Sequence, residues 1–176
     1  AARTITINAG GTALTAGWNN SLTVLSLLTG SGNLNVNCDS GVVVLSNTGN
    51  DYAGDTTLAT LWAGFYSTAA RLKLGASEVI PHGAGKGNLI LNAGATLDLN
   101  GFSETVNGLA AAAANALVTN SSWNASVLTV GANDATGSFA GRTGGALSLV
   151  KTGAGTWTLD APCGHTGATV AGGGTL

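Results

Sequence analysis

Methionine is absent from the 176 residues, proline and cysteine occur twice each, and charged residues make up 8%. Six Lys and Arg face eight Asp and Glu, for a net charge of -2. So few scattered cations give no electrostatic footprint for a phosphate backbone, which excludes nucleic acid as an expected partner. Low charge also leaves no self-repulsion to hold the chain open, and the aliphatic content lies above the range of disordered proteins. No apolar run approaches the roughly 18 residues that a membrane-spanning helix needs. The nearest, Leu109 to Val118, is mostly alanine and contains Asn115. Without Met at position 1 the chain reads as a processed or excised segment, and small residues such as Ala1 and Ala2 suit a signal-peptide cleavage site. Sparse charge and a wealth of Thr and Asn predict an extracellular or cell-surface protein. The length predicts one domain, 1–176, with a real core.

What the chain does hold is short alternation. Thr4-Ile-Thr-Ile7, Leu22-Thr-Val-Leu25, Leu34-Asn-Val36 and Val42-Val-Val-Leu45 open a series of apolar runs. Leu72-Lys-Leu74, Leu89-Ile-Leu91, Leu97-Asp-Leu99, Val127-Leu-Thr-Val130, Leu147-Ser-Leu-Val150 and Thr156-Trp-Thr-Leu159 continue it. Period-two patterning over three to five residues, bounded by Gly, Asn, Asp and Ser, predicts strand after strand. Helix signals are poor, because each of the 28 glycines would cost about 1 kcal/mol in a helix interior. The alanine run 110–114 reads as packed coil and turn, with a short helix as the alternative.

Internal repetition decides the architecture. The segment Gly41 to Leu58 can be laid beside Gly155 to Val170. Both run glycine, a short strand ending in leucine (Leu45, Leu159), a polar turn, a further glycine (Gly54, Gly167), then Thr and an aliphatic residue. A turn-strand unit cannot bury its own apolar face, whereas stacked copies bury one another. The copies fall near residues 39–58 and 149–176.

At these residues the sequence resembles the autotransporter-associated β-strand repeat, also called the passenger-associated transport repeat. Leu149-Val-Lys151-Thr-Gly153-Ala-Gly155-Thr-Trp157-Thr-Leu159 carries the likeness, with Trp157 in place of an aliphatic residue. His165-Thr-Gly167-Ala-Thr-Val170 follows, with His165 where the family has Tyr; Tyr52-Ala-Gly54 in the earlier copy keeps the Tyr. The resemblance implies an exported bacterial protein built as a right-handed parallel β-helix. At about 20 to 25 residues per coil, seven to eight coils are expected, giving a stack some 35 Å tall.

Chemistry is sparse. Asp51 and Asp55 share a turn and are the pair to weigh for glycoside cleavage, which needs two carboxylates within about 5 to 9.5 Å. Asp equally fills turns by bonding its own backbone, so no catalysis is expected. His82 and His165 lack partners at metal spacing, and no cofactor is predicted. The local aromatic cluster Trp62, Phe65 and Tyr66 reads as loop packing, with glycan contact as its functional alternative. Cys38 and Cys163 read as idle thiols or as partners across a subunit junction, since several coils should separate them beyond the roughly 7 Å limit for a bridge. The expected function is therefore structural: a subunit of an extracellular filament or cell-surface stalk, stacking head to tail with copies of itself. A glycan-binding adhesin using the 58–66 loop is the alternative, and a polysaccharide-cleaving enzyme the third reading.

Overall fold

Alternation in the sequence becomes a coil with three walls. The computed structural model describes residues 3–60 and 69–176. The first coil contributes Thr4–Ile7 (β1), Thr12–Ala16 (β2) and Ser21–Val24 (β3), and the second Leu27–Gly30 (β4), Leu34–Cys38 (β5) and Val42–Leu45 (β6). The third holds Asp51–Tyr52 (β7), Thr56–Thr60 (β8) and Arg71–Leu74 (β9), and the fourth Leu89–Leu91 (β10) and Thr96–Asp98 (β11). Glu104–Val106 (β12), Leu109–Ala110 (β13) and Leu117–Asn120 (β14) make the fifth; Ser126–Val130 (β15), Gly137–Phe139 (β16) and Arg142–Gly145 (β17) make the sixth. Leu147–Lys151 (β18), Trp157–Leu159 (β19) and Cys163–His165 (β20) complete the seventh, and Thr169–Ala171 (β21) begins another.

All pairing is parallel and links one coil to the next. The first wall comprises β1-β4-β7 and, beyond a gap in the fourth coil, β12-β15-β18-β21. The second comprises β13-β10-β8-β5-β2 and the pair β16-β19, joined by a bridge between Ala111 and Phe139. The third is unbroken: β20-β17-β14-β11-β9-β6-β3. The protein is thus an all-β solenoid of about seven turns, as the sequence predicts, with no helix among the described residues. The alanine run forms the end of β13, the bridge at Ala111 and a turn closed by Ala116 N–H donating to Ala113 O.

Register sets the core. On the third wall Val43, Leu72, Leu97 and Val118 stack in one inward column and are fully buried. On the second wall Val36, Leu58 and Leu91 do the same, with the slightly exposed Leu14 at the end of their column. Each fully buried Leu or Val contributes about 1.5–3 kcal/mol. In the second wall's aromatic stretch, Phe139 and Trp157 lie with ring centroids 6.5 Å apart. The Trp157 indole N–H donates to Leu109 O at 3.0 Å, two coils away.

The two segments aligned as repeat copies match strand for strand but not wall for wall. The first runs through β6, β7 and β8, hence third, first and second walls, whereas the second runs through β19, β20 and β21, hence second, third and first. The repeating unit is accordingly one strand with its turn, a third of a coil. Coil length adjusts by loops: Leu28 and Asn50 bond across 22 residues, but Asn88 and Asp55 across 33, where the chain includes the segment 61–68.

Two substitutions separate the core's terms. Leu97→Ala, at the centre of the unbroken wall, should lower unfolding free energy by about 2–5 kcal/mol. Ser126 Oγ, buried without a partner, should behave oppositely: Ser126→Ala is expected to raise stability by about 1 kcal/mol. Urea titration followed by circular dichroism measures both, and equal effects would show that column packing does not set stability.

Candidate functional site

Corners carry most of the polar chemistry. The sequence assigns Asn to turns, where it bonds nearby backbone. Here most of the corner amides reach instead to a neighbouring coil. Asn50 Oδ1 accepts from Leu28 N–H at 2.9 Å while its Nδ2 donates to Val79 O at 2.8 Å, so one side chain ties three coils. Asn100 donates to Leu74 O, Asn47 to Leu25 O, and Asn88 accepts from Gly108 N–H. Asn120 is buried and fully used: it accepts from Gly101 and Ser122 and donates to Asn124 and Ala146 carbonyls. Each such bond adds about 0.5–1.5 kcal/mol net and fixes the axial spacing.

Among the described residues one basic and one acidic side chain lie inside the coil. Lys151 is fully buried at the inward end of β18. Its ammonium donates to the carbonyls of Thr152, Gly153 at 3.0 Å and, one coil on, Gly173 at 3.3 Å. Gly153 has φ 68°, and a Cβ there would stand 2.1 Å from Gly131 O, so only glycine permits this turn. The Lys-x-Gly pattern is therefore a local device in which a turn supplies acceptors for a buried cation.

Glu104 closes the gap in the first wall. The fourth coil forms no strand there, leaving the Val79 and Ile80 amides without a ladder partner. The Glu104 carboxyl oxygens accept from both, at 3.1 and 2.9 Å. Burial pushes its pKa up to about 8, outweighing the Ile80 and Val79 donors, and the negative Glu78 beside it adds to the rise. Glu78 sits at φ 54°, uncommon for a side chain of its size, and accepts from both the amide and the hydroxyl of Thr105. His82 Nδ1 lies 3.5 Å from Glu78.

The sequence-predicted site residues are spread along the axis. Asp51 forms an ion pair with Lys86, which also donates to Asp51 O at 2.9 Å. Asp55 accepts from Asn88 N–H at 2.7 Å. Both carboxylates thus fasten the loop that leads into β10, rather than bonding their own turn. His165 Nδ1 and Nε2 contact the hydroxyls of Thr143 and Thr169, at 2.7 and 2.9 Å, and partial burial lowers its pKa. Buried Tyr52 meets Thr56 at 2.6 Å, the same step of four residues as His165 to Thr169, so the histidine takes over the tyrosine's hydroxyl contact. Leu45 is in the core, Leu159 at its edge. Gly41, Gly54, Gly155 and Gly167 stand where the backbone of the preceding coil leaves no room for a Cβ. Trp62, Phe65 and Tyr66 lie outside the described residues. Both cysteines are free; Cys38 is buried in β5 between β2 and β8, and Cys163 is the exposed one.

The outer side of the third wall was not singled out by the sequence. A groove of about 220 Å³ crosses β6, β9, β11 and β14, lined among others by Arg71, Lys73, Thr96, Asp98, Thr119 and Ser121. Lys73 Nζ is 4.0 Å from Asp98, whose carboxylate also accepts from the Ser121 amide and hydroxyl. No group of three or more His, Cys, Asp or Glu among the described residues is placed to hold a metal. No family model, curated protein or solved structure matches the chain.

Glu104 gives the site a pH signature. Between its ordinary value of 4.5 and about 8, the folded chain keeps a proton that the unfolded chain has released. Stability should therefore be greatest below 4.5, as far as this group is concerned, fall as pH rises through that window, and level off above it. Subtracting melting curves of Glu104→Gln from wild type isolates the group, and a difference that does not change with pH would refute this assignment.

Proposed function

We propose that this chain is a structural β-solenoid: a stiff axial segment of a cell-surface stalk or extracellular filament that lengthens by head-to-tail stacking on copies of itself. The observation that carries this reading is the third wall, where seven strands follow one another in unbroken parallel register. A parallel ladder repeats the same bond pattern at every step, so a further coil from a second copy meets the same inward columns and the same backbone spacing. Such a contact is heterologous and propagates as a filament unless it closes a ring. The likeness of Lys151 to Leu159 and of His165 to Val170 to the autotransporter-associated repeat supports an exported, surface-associated setting. The buried groups support it too, since Asn120, Glu104 and Lys151 each make at least one hydrogen bond to a neighbouring coil.

Light scattering with negative-stain microscopy tests the proposal. Rods that lengthen with protein concentration are expected. Thr169→Lys, at an inward register position of β21 opposite Leu149, should hold the particles at one length, because a stacked coil would bury the new charge. Single-length particles of wild type at every concentration would contradict self-stacking.

A further inference from the structure

The outward columns of the third wall gather cations. Arg71, Thr96, Leu117 and Arg142 succeed one another in register, and Lys73, Asp98 and Thr119 form the adjacent column. Half of the chain's six cations thus stand on one wall with one carboxylate, in a chain of net charge -2. Besides the groove at Arg71 and Lys73, two shallow depressions of about 400 and 370 Å³ lie along the same wall, and Arg142 lines both. An independent feature lies at the other edge of this wall. Trp123, on the corner between β14 and β15 and two residues past the groove-lining Ser121, is 101% exposed. An indole is among the largest apolar surfaces a side chain offers, and a bare one on a polar turn is where a partner's apolar face gains most.

We propose that the outer third wall, with Trp123 at its corner, binds an acidic polysaccharide lying against the solenoid. Arg71 and Arg142 pair with carboxylate or sulfate groups of the glycan. The hydroxyls of Thr96, Thr119 and Ser121, with the Asp98 carboxylate as acceptor, meet sugar hydroxyls, and the Trp123 ring stacks on a pyranose face. Charge spacing selects this polymer. The two arginines are three ladder steps apart, about 14 Å. Duplex DNA presents one charge per roughly 1.7 Å, and phospholipid recognition uses clusters of about four to eight cations. Three cations interleaved with hydroxyls and a carboxylate instead fit a polymer whose charges are sparse and whose hydroxyls are many.

The test is biolayer interferometry of the whole chain on immobilised polygalacturonate (carboxylated), heparin (sulfated) and uncharged dextran, with duplex DNA and phosphatidylserine vesicles as competitors. Binding to one or both acidic glycans is expected, weakening with salt as screening sets in. Arg71→Ser with Arg142→Ser should reduce it about tenfold, as should Trp123→Ala, with melting temperatures unchanged because all three side chains are exposed. Arg71→Lys with Arg142→Lys should retain most of the binding. No binding to either acidic glycan, equal binding to dextran, displacement by DNA or vesicles as effective as by free glycan, or variants that bind like wild type would each overturn the proposal. None of these outcomes depends on filament growth, so this reading and the stacking proposal fail separately.

Discussion

Hydrogen bonds parallel to the axis, each joining a residue to one about a coil away, are the constraint from which the remaining features follow. A strand of three to five residues has no partner within its own coil; its amides and carbonyls are satisfied only by the coils above and below. The stack must therefore keep a fixed rise, and like residues must superpose. That is why Val43, Leu72, Leu97 and Val118 form one column and why a bulky residue in one coil obliges its neighbours. Trp157 shows the obligation: its indole reaches past Gly137, where a Cβ would approach Leu109 O at 3.2 Å, to bond a carbonyl two coils below.

Where the first wall's ladder is interrupted, and at the corners, polar side chains take over its role. In the first wall's gap the Glu104 carboxyl group replaces two backbone carbonyls. At corners, amides of Asn47, Asn50, Asn88, Asn100 and Asn120 bond backbone groups of adjacent coils. Lys151 works in the opposite sense, presenting donors to carbonyls that a turn has left facing inward. Burying such groups is costly unless they are paired, and each of these is paired. Their common effect is to tie successive coils together along the axis.

The walls were legible in the sequence because alternation is a local signal: a residue's side depends only on its parity within the strand. Leu72-Lys-Leu74 and Leu147-Ser-Leu149 announce their inward and outward members without reference to anything distant. Coil phase was less legible. The match of Gly41–Leu58 to Gly155–Val170 identifies the strand-turn unit but spans different walls, because loop lengths between the copies shift the phase by a third of a turn. The corner asparagines were read as turn residues, which they are, but their partners lie 20 or more residues away and no local pattern marks them. Sharing one turn makes Asp51 and Asp55 the acid pair to weigh, but the partner of Asp51 has no local sign: Lys86 arrives from the next coil, 35 residues on. The outer cationic wall was invisible for the same reason, since Arg71 and Arg142 meet in one column only once register is known. Trp123, between Ser122 and Asn124 in a run of turn formers, did carry a local sign of exposure.

Residue-resolved amide hydrogen exchange along the third wall tests most directly whether axial bonding holds the molecule together. Strands bonded on both sides should exchange slowest, so protection is expected to peak in β9, β11 and β14 and to decline stepwise toward β3 and β20. The Val79 and Ile80 amides, bonded to Glu104 instead of to a strand, should be protected in wild type and exposed in Glu104→Ala. Protection alternating between sequence-adjacent strands, as hairpin pairing would give, or a uniform profile indifferent to position along the axis, would contradict the account.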